Sequence, residues 1–308
     1  MISIVISVFN EERVLFRFYE ELTKETQELA CEAEFIFVND GSVDKSLEII
    51  ENLACGDKRI KVINFSRNFG HEAAMIAGID NAVGDAIVCM DADLQNPPSL
   101  LKEMLQHFEQ GSDVVTMVRD KNLGVGFFKK TASKMFYKVF NRLSEIELQP
   151  NASDFFLVSN RVAEVLRKDY RERVRFLRGY IQTVGFNRSF ITYTAPSRAA
   201  GESKYSLSKL FRLVFSSIVS FSKVPLKIGI YFGLFFGLLS IVLMVYSLVM
   251  WIVERPVGGY TTLVIFLCAF AAITLFVLGI IGYYIGFILD EVKGRPIYVI
   301  ESIKNDND

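Results

Sequence analysis

The sequence predicts an α/β domain with a mainly parallel sheet, followed by an interfacial helix and two membrane-spanning helices. Three observations lead there. Short apolar or alternating segments recur between helical patterns through residues 1 to about 200, as in a sheet built from βαβ units. The first four of these segments each run into a polar, turn-rich cluster. Two long uncharged runs follow, Ile228–Ile252 and Thr261–Leu289. At about 1.5 Å per residue each exceeds the roughly 30 Å hydrocarbon core of a bilayer. The expected organisation is a cytoplasmic domain over 1–205, a juxtamembrane amphipathic helix over 206–227, two spans with a short external loop over 228–289, and a cytoplasmic tail over 290–308.

The strand candidates, in order, are "ISIVISVF", "EFIFVND", "RIKVINF", "DAIVCMD" and "SDVVTMV". Sheets of this class hold ligands outside the carboxyl ends of their strands, and the polar clusters fall there. "FNEE" (Phe9 to Glu12) follows the first strand, "NDGSVD" (Asn39 to Asp44) the second, "SRNFGHE" (Ser66 to Glu72) the third and "DADLQ" the fourth. The double proline after "DADLQN" breaks regular structure just past the acids. Neither G-x-x-x-x-G-K-[ST] nor G-x-G-x-x-G after the first strand occurs, which excludes a P-loop and a dinucleotide fingerprint. Asp91 and Asp93, both able to face one cleft from a strand end, are hard oxygen donors suited to Mg²⁺ or Mn²⁺ shared with phosphate oxygens. Short acidic pairs also cap or solvate turns, so the pair by itself leaves both readings open.

Net charge is −1, which gives no basis for a general nucleic-acid binder. The four cysteines are scattered, without C-x-x-C or histidine partners at ligand spacing, arguing against a zinc site or a disulfide framework and for a reducing setting. The apolar start lacks the basic flank of a signal peptide. Lys209, Arg212, Lys223 and Lys227 precede the first span, and Lys293, Arg295 and Lys304 follow the second, so the positive-inside rule places both termini in the cytoplasm of a multi-pass inner-membrane protein. Between Ser206 and Lys223, Leu207, Leu210, Phe211, Val214, Phe215, Ile218 and Phe221 recur near helical spacing opposite Ser208, Lys209, Arg212 and Ser216, as in a helix lying on a bilayer. An amphipathic helix packed on the domain would read the same way. Trp251 suits an interfacial anchor, and several glycines in the spans permit helix contacts and a homo-oligomer. His71 reads equally as a donor contact or a hydrogen-bonded structural residue, and His107 as part of a surface helix.

Taken together, "FNEE", "NDGSVD", "SRNFGHEAAMIAG", "DADLQNPP", "SDF", a later "RG", "GESKYSLSKL" and the two spans resemble the inverting glycosyltransferases of family 2, with the GT-A fold. Within that family the likeness is to polyprenyl-phosphate sugar transferases of the bactoprenol glucosyltransferase and dolichyl-phosphate mannose synthase type. The resemblance implies a nucleotide-sugar donor held by Asp40, Asn10, Glu11, Ser66 and Asn68. It implies a cation and diphosphate at Asp91 and Asp93 with help from Gln95, and places Asp154 of "SDF" at the reacting centre as base. A lipid monophosphate needs no base, because its second pKa is about 6, so orienting the acceptor is an alternative role for Asp154. UDP-glucose is the first donor implied, with UDP-N-acetylhexosamine and GDP-mannose behind it, and undecaprenyl phosphate is the acceptor.

Two positions depart from the family pattern. Ser7 stands where proline is frequent, which reads as minor, and Phe156 stands where an arginine often follows "DF". Nearby cations can substitute for that arginine before an acceptor phosphate: Arg175 and Arg178 among the arginines of "YRERVRFLRGY", and Arg198, Ser203 and Lys204 in "SRAAGESKY". A solvated basic face explains most such clusters, but these lead directly toward a span and an anionic lipid surface. Rival classes fare worse. A processive polysaccharide synthase would carry Q-x-x-R-W and more spans, and a transporter would place polar groups within the spans. A non-catalytic membrane module of a sugar pathway would have no need of Asp91, Asp93 and Asp154.

Overall fold

The computed structural model describes residues 1–120, 149–172, 176–194, 196, 224–253 and 258–305. All five predicted strands form: β1 (Ile2–Val8), β2 (Ala33–Asn39), β3 (Ile60–Phe65), β4 (Ala86–Asp91) and β5 (Val114–Arg119). β6 (Ala152–Ser159), β7 (Arg188–Tyr193) and β8 (Ile300–Lys304) join them in one sheet of order β7-β5-β6-β4-β1-β2-β3-β8. β1 pairs in parallel with β2 and β4, β2 with β3, and β5 with β7, while β6 runs antiparallel between β4 and β5. Every β1 side chain is buried, so the strand reads as a continuous apolar run covered on both faces.

Helices α1 (Leu15–Gln27), α2 (Ser46–Gly56), α3 (His71–Asp80), α4 (Leu101–Glu109), α5 (Asn160–Asp169) and α6 (Leu177–Thr183) accompany the sheet. α1 buries Leu15, Phe18, Leu22 and Thr26, one stripe at helical spacing. α3 instead buries all residues from Ala73 to Ile79. It lies so close to β1 that a Cβ on Gly78 would stand 2.0 Å from Val5 Cγ1, so only glycine lets this helix seat. α5 starts at Ser159, whose hydroxyl accepts from the Val162 amide at 3.3 Å.

The stretch expected to be a tail does more than trail. β8 adds to the sheet edge antiparallel to β3, pairing Ile63 with Ile303 and Asn64 with Ser302. The segment from Arg295 onward accordingly belongs to the same compact unit as the sheet, whereas the two long helices up to Gly294 belong to a second.

That second unit holds α7 (Val224–Ile252) and α8 (Tyr260–Val292), both long and apolar enough to cross a membrane. Their candidate spans, Gly229–Ser247 and Ala269–Val292, are unburied, and the Phe236 and Phe270 rings meet at 6.3 Å between the helices. α7 begins at Val224, inside the stretch expected to form the juxtamembrane helix; Ser206–Lys223 lies outside the described residues.

Candidate active site

The carboxyl edge of the parallel strands gathers the predicted clusters in two groups. In the first, the loops after β1, β2 and β3 are fastened by backbone amides. Asp40, 2% exposed, accepts at Oδ1 from the Phe69 amide (2.7 Å) and at both oxygens from the Gly70 amide (3.1 and 3.0 Å), while Asn68 Nδ2 donates to Oδ2 at 3.0 Å. Its carboxylate thus clips the β3–α3 loop to the end of β2. Gly41 makes this approach possible: its φ is +65°, and a Cβ there would stand 2.5 Å from the Asn68 amide nitrogen. Asn10, at φ 58°, donates its amide to Ser42 Oγ (3.0 Å) and accepts from the Val43 amide (2.9 Å), and the Glu11 amide donates to Ser46 Oγ at 2.9 Å. The Ser66 amide donates to the Val299 carbonyl at 3.1 Å, tying this predicted donor residue to the C-terminal segment.

The second group is built from side chains. Ser7 and Asp91 are direct neighbours across β1 and β4. The Ser7 hydroxyl lies 3.0 Å from Asp91 Oδ1 and 2.8 Å from His71 Nδ1. Asp91 can only accept, so Ser7 gives it its one proton, and His71 donates Nδ1–H to Ser7 in turn. His71 Nε2 is then directed toward Asp154 Oδ2, 3.9 Å away. Asp91 Oδ2 also lies 3.4 Å from Asn96 Nδ2. Leu94, at φ 62°, turns the chain so that Asp93 Oδ1 accepts from the Gln95 amide at 3.0 Å. Asp154 reaches the group because β6 is antiparallel: its start lies beside the end of β4, two residues beyond the paired Cys89 and Phe156. There Arg178 of α6 donates to it twice, Nε to Oδ1 at 3.0 Å and Nη2 to Oδ2 at 2.5 Å.

Charges within this group are strongly coupled. Burial pushes the Asp154 pKa up, but the Arg178 and His71 charges more than offset it and hold the carboxyl below its usual range. Burial pulls His71 down, and the Asp91 and Asp154 carboxylates overcome that to raise it. Glu72 is driven to about 7, first by burial and then by the Asp154 charge. Glu72 Oε2 accepts from the Leu177 amide at 3.2 Å, fastening the start of the helix that carries Arg178.

Residues 3–167 match the family described as glycosyl transferase family 2. Over nearly full length the chain is 39% identical to an uncharacterised glycosyltransferase of Bacillus subtilis, YkcC, covering 97% of this chain and 93% of that one. The chain belongs to glycosyltransferase family 2. This glycosyltransferase is also 36% identical to the SfII prophage-derived bactoprenol glucosyl transferase of Shigella flexneri, with 99% of both chains covered. A prophage bactoprenol glucosyl transferase homolog of Escherichia coli K12 is 34% identical over 98% of this chain and 99% of the other. The mixed, mostly parallel sheet is the GT-A architecture.

The glycosyltransferase bonds Asp40 to Asn68, holds Asn10 and Glu11 to the segment after β2 and sets Ser66 at the end of β3; it gathers Asp91, Asp154 and Arg178 around His71, with Asp93 and Gln95 bonded to each other in the turn after β4. Arg175, Arg198, Ser203 and Lys204 lie outside the described residues. Sequence reasoning passed over Ser7, treating its replacement of proline as minor; a proline there could neither donate to Asp91 nor accept from His71. Glu72 was missed because nothing local marks an acid whose partner, the Leu177 amide, is more than a hundred positions away.

Proposed function

We propose that this glycosyltransferase moves one sugar from a nucleotide-diphosphate sugar, UDP-glucose in the first instance, to undecaprenyl phosphate at the cytoplasmic face of a membrane, with inversion. The observation that carries the reading is the likeness to named bactoprenol glucosyl transferases over the full length of both chains, joined to an acidic centre that suits the reaction. Asp91 and Asp93 supply two hard oxygen donors at one strand end, with Gln95 adjoining. Among the described residues no three His, Cys, Asp or Glu side chains form a self-contained metal site. Two carboxylates at one strand end leave most of the coordination positions of a hard cation to diphosphate oxygens and water. When bound, Mg²⁺ or Mn²⁺ supplies stabilisation of the charge growing on the departing nucleotide diphosphate.

In the displacement, an acceptor phosphate oxygen forms the new bond to the anomeric carbon while the bond to the diphosphate oxygen breaks and its electron pair leaves with the nucleotide. No proton must be removed, because a phosphate monoester is already a nucleophile near neutral pH. This agrees with the state of Asp154: a carboxylate held by two Arg178 hydrogen bonds, its pKa lowered, is a poor proton acceptor. We assign Asp154 the task of holding the Arg178 guanidinium at the reacting centre, where it faces phosphate charge. Asn10, Glu11, Asp40, Ser66 and Asn68 frame the nucleoside side, and the arginines and Lys204 that precede the first span serve the lipid phosphate.

The test is to supply purified protein with undecaprenyl phosphate and, separately, UDP-glucose, UDP-N-acetylglucosamine and GDP-mannose, and to identify the lipid product by mass spectrometry. A hexosyl phospholipid from UDP-glucose is expected. Product from another donor corrects the sugar; no product from any, with folded protein, overturns the assignment.

A further inference from the structure

The C-terminal segment reaches the proposed donor loops through a chain of oriented amides. Glu301 on β8 accepts at Oε2 from Asn64 Nδ2 at 2.9 Å. Asn64 Oδ1 accepts from Asn39 Nδ2 at 2.8 Å, and Asn39 Oδ1 accepts from the Ser42 amide at 3.3 Å. Ser42 Oγ in turn accepts from the Asn10 amide at 3.0 Å. Asn64 and Asn39 are 7% and 1% exposed, so water is a poor substitute for the bond between them, while Glu301 stands on the exposed edge strand. A side-chain amide can point either way, and only its neighbours decide which. Both ends of the relay set the direction: the Ser42 amide can only donate and holds the Asn39 oxygen toward the β2 loop, while Glu301 Oε2 accepts from the Asn64 NH₂ and so keeps the Asn64 oxygen turned to Asn39.

A second route runs in parallel. Tyr298 stacks on Phe65 at 5.2 Å with 11° between the rings, and Phe65 meets Phe69 edge-on at 5.7 Å. The Phe69 amide is the one that donates to Asp40 at 2.7 Å. Tyr298 is itself anchored by its hydroxyl to Asp80 Oδ2 at 2.6 Å, and Asp80 is gripped by Arg171 at 2.8 and 2.9 Å.

We propose that the segment after the second long helix, through Glu301, is a positioning element of the donor site, setting the affinity for the nucleoside diphosphate. The inference rests on the donor pocket assigned above to Asn10, Asp40 and their neighbours. It makes the strand that resumes after the second apolar helix part of the binding machinery rather than a trailing end.

The test uses the full-length protein in detergent, with UDP in the presence of Mn²⁺ as the calorimetric probe and UDP-glucose for kinetics. Glu301→Ala leaves Asn64 without its acceptor and should weaken UDP binding about tenfold, the scale of one lost hydrogen bond to a charged group. The loss should appear in the donor KM, with the acceptor KM changed far less. Glu301→Gln keeps a carbonyl oxygen for Asn64 and should recover most of the affinity, whereas Glu301→Lys offers only donors and should lose more than alanine. Hydrogen exchange at the Ser42 amide should accelerate in Glu301→Ala and return toward normal in Glu301→Gln, at equal unfolding temperature for the two. Wild-type affinity in Glu301→Ala and Glu301→Lys, or equal losses in Glu301→Ala and Glu301→Gln, overturns the proposal. Failure of the wild type to bind UDP, with Ser42 exchange still quickened in Glu301→Ala, overturns the donor-pocket reading while leaving the relay standing.

Discussion

The two groups at the carboxyl edge of the sheet solve the same problem with different materials. Around Asp40 the carboxylate is fastened mainly by backbone amides, those of Phe69 and Gly70. Around Asp91 and Asp154 the partners are side chains: Ser7, His71, Asn96 and Arg178. Backbone donors are fixed by the fold and hold a loop in one shape. Side-chain partners have rotamers to spare and charges that respond to what binds. The difference teaches that the group around Asp40 is a rigid frame and the group around Asp91 and Asp154 an adjustable one, and four substitutions can sharpen or break that contrast.

The largest effect is expected at the adjustable group. Asp93→Ala should cut transfer by about 10³-fold or more, the scale on which charge stabilisation acts in a displacement, while leaving the unfolding temperature within a few degrees. Assay of the purified variant with UDP-glucose and Mn²⁺, alongside wild type in excess chelator, measures it; full wild-type activity in chelator would contradict a metal clamp.

Asp154→Asn comes next, with an expected loss of about 10²-fold in kcat, because the amide keeps one acceptor for Arg178 but loses the charge that pairs with it. If Asp154 positions Arg178 rather than taking a proton, the residual activity should keep the wild-type pH profile. Residual activity whose acid limb has vanished would restore Asp154 as the base.

Ser7→Ala should act through Asp91. Loss of a hydrogen bond that orients a ligand costs about 10-fold or more in metal affinity, read by Mn²⁺ titration under electron paramagnetic resonance as well as by activity. Ser7→Thr should retain most of the affinity. Unchanged Mn²⁺ binding in Ser7→Ala would mean that Asp91 needs no such partner.

The smallest effect concerns Glu72 and stability. Its folded pKa of about 7 lies above the ordinary 4.5, so the folded state favours the protonated form. Its stabilising contribution is complete below about pH 4.5 and is lost as pH rises through about 7. Glu72→Gln removes that loss and should gain on wild type by about 2 to 3 kcal/mol between pH 5 and pH 8, measured by denaturant titration at each pH. A constant difference across that range would show that Glu72 is not held protonated.

Much of this was legible in the chain. "DAIVCMD" is an apolar run ending in an acid, so a buried strand with Asp91 at its mouth follows from hydrophobic pattern alone, and the five parallel-type strands were read the same way. β6 and β8 were not. "SDFFLVS" carries a strand pattern, but its direction depends on which neighbour it pairs with, and that direction is what brings Asp154 beside Asp91 and under Arg178. β8 is a five-residue strand with two exposed positions, too short to announce itself, and it takes its place by pairing with the open edge of β3.

The sequence by itself therefore determined the class of the domain, the two long apolar helices and the identity of the acids at the strand ends, because hydrophobic periodicity and turn chemistry act over a few neighbouring residues. Tertiary structure decided which acid meets which partner. Ser7 with Asp91, Asp154 with Arg178, and Glu301 with Asn64 are separated along the chain by 84, 24 and 237 positions. A hydrogen bond needs its two atoms within about 3 Å, a condition that strand order and direction satisfy and that no local pattern encodes.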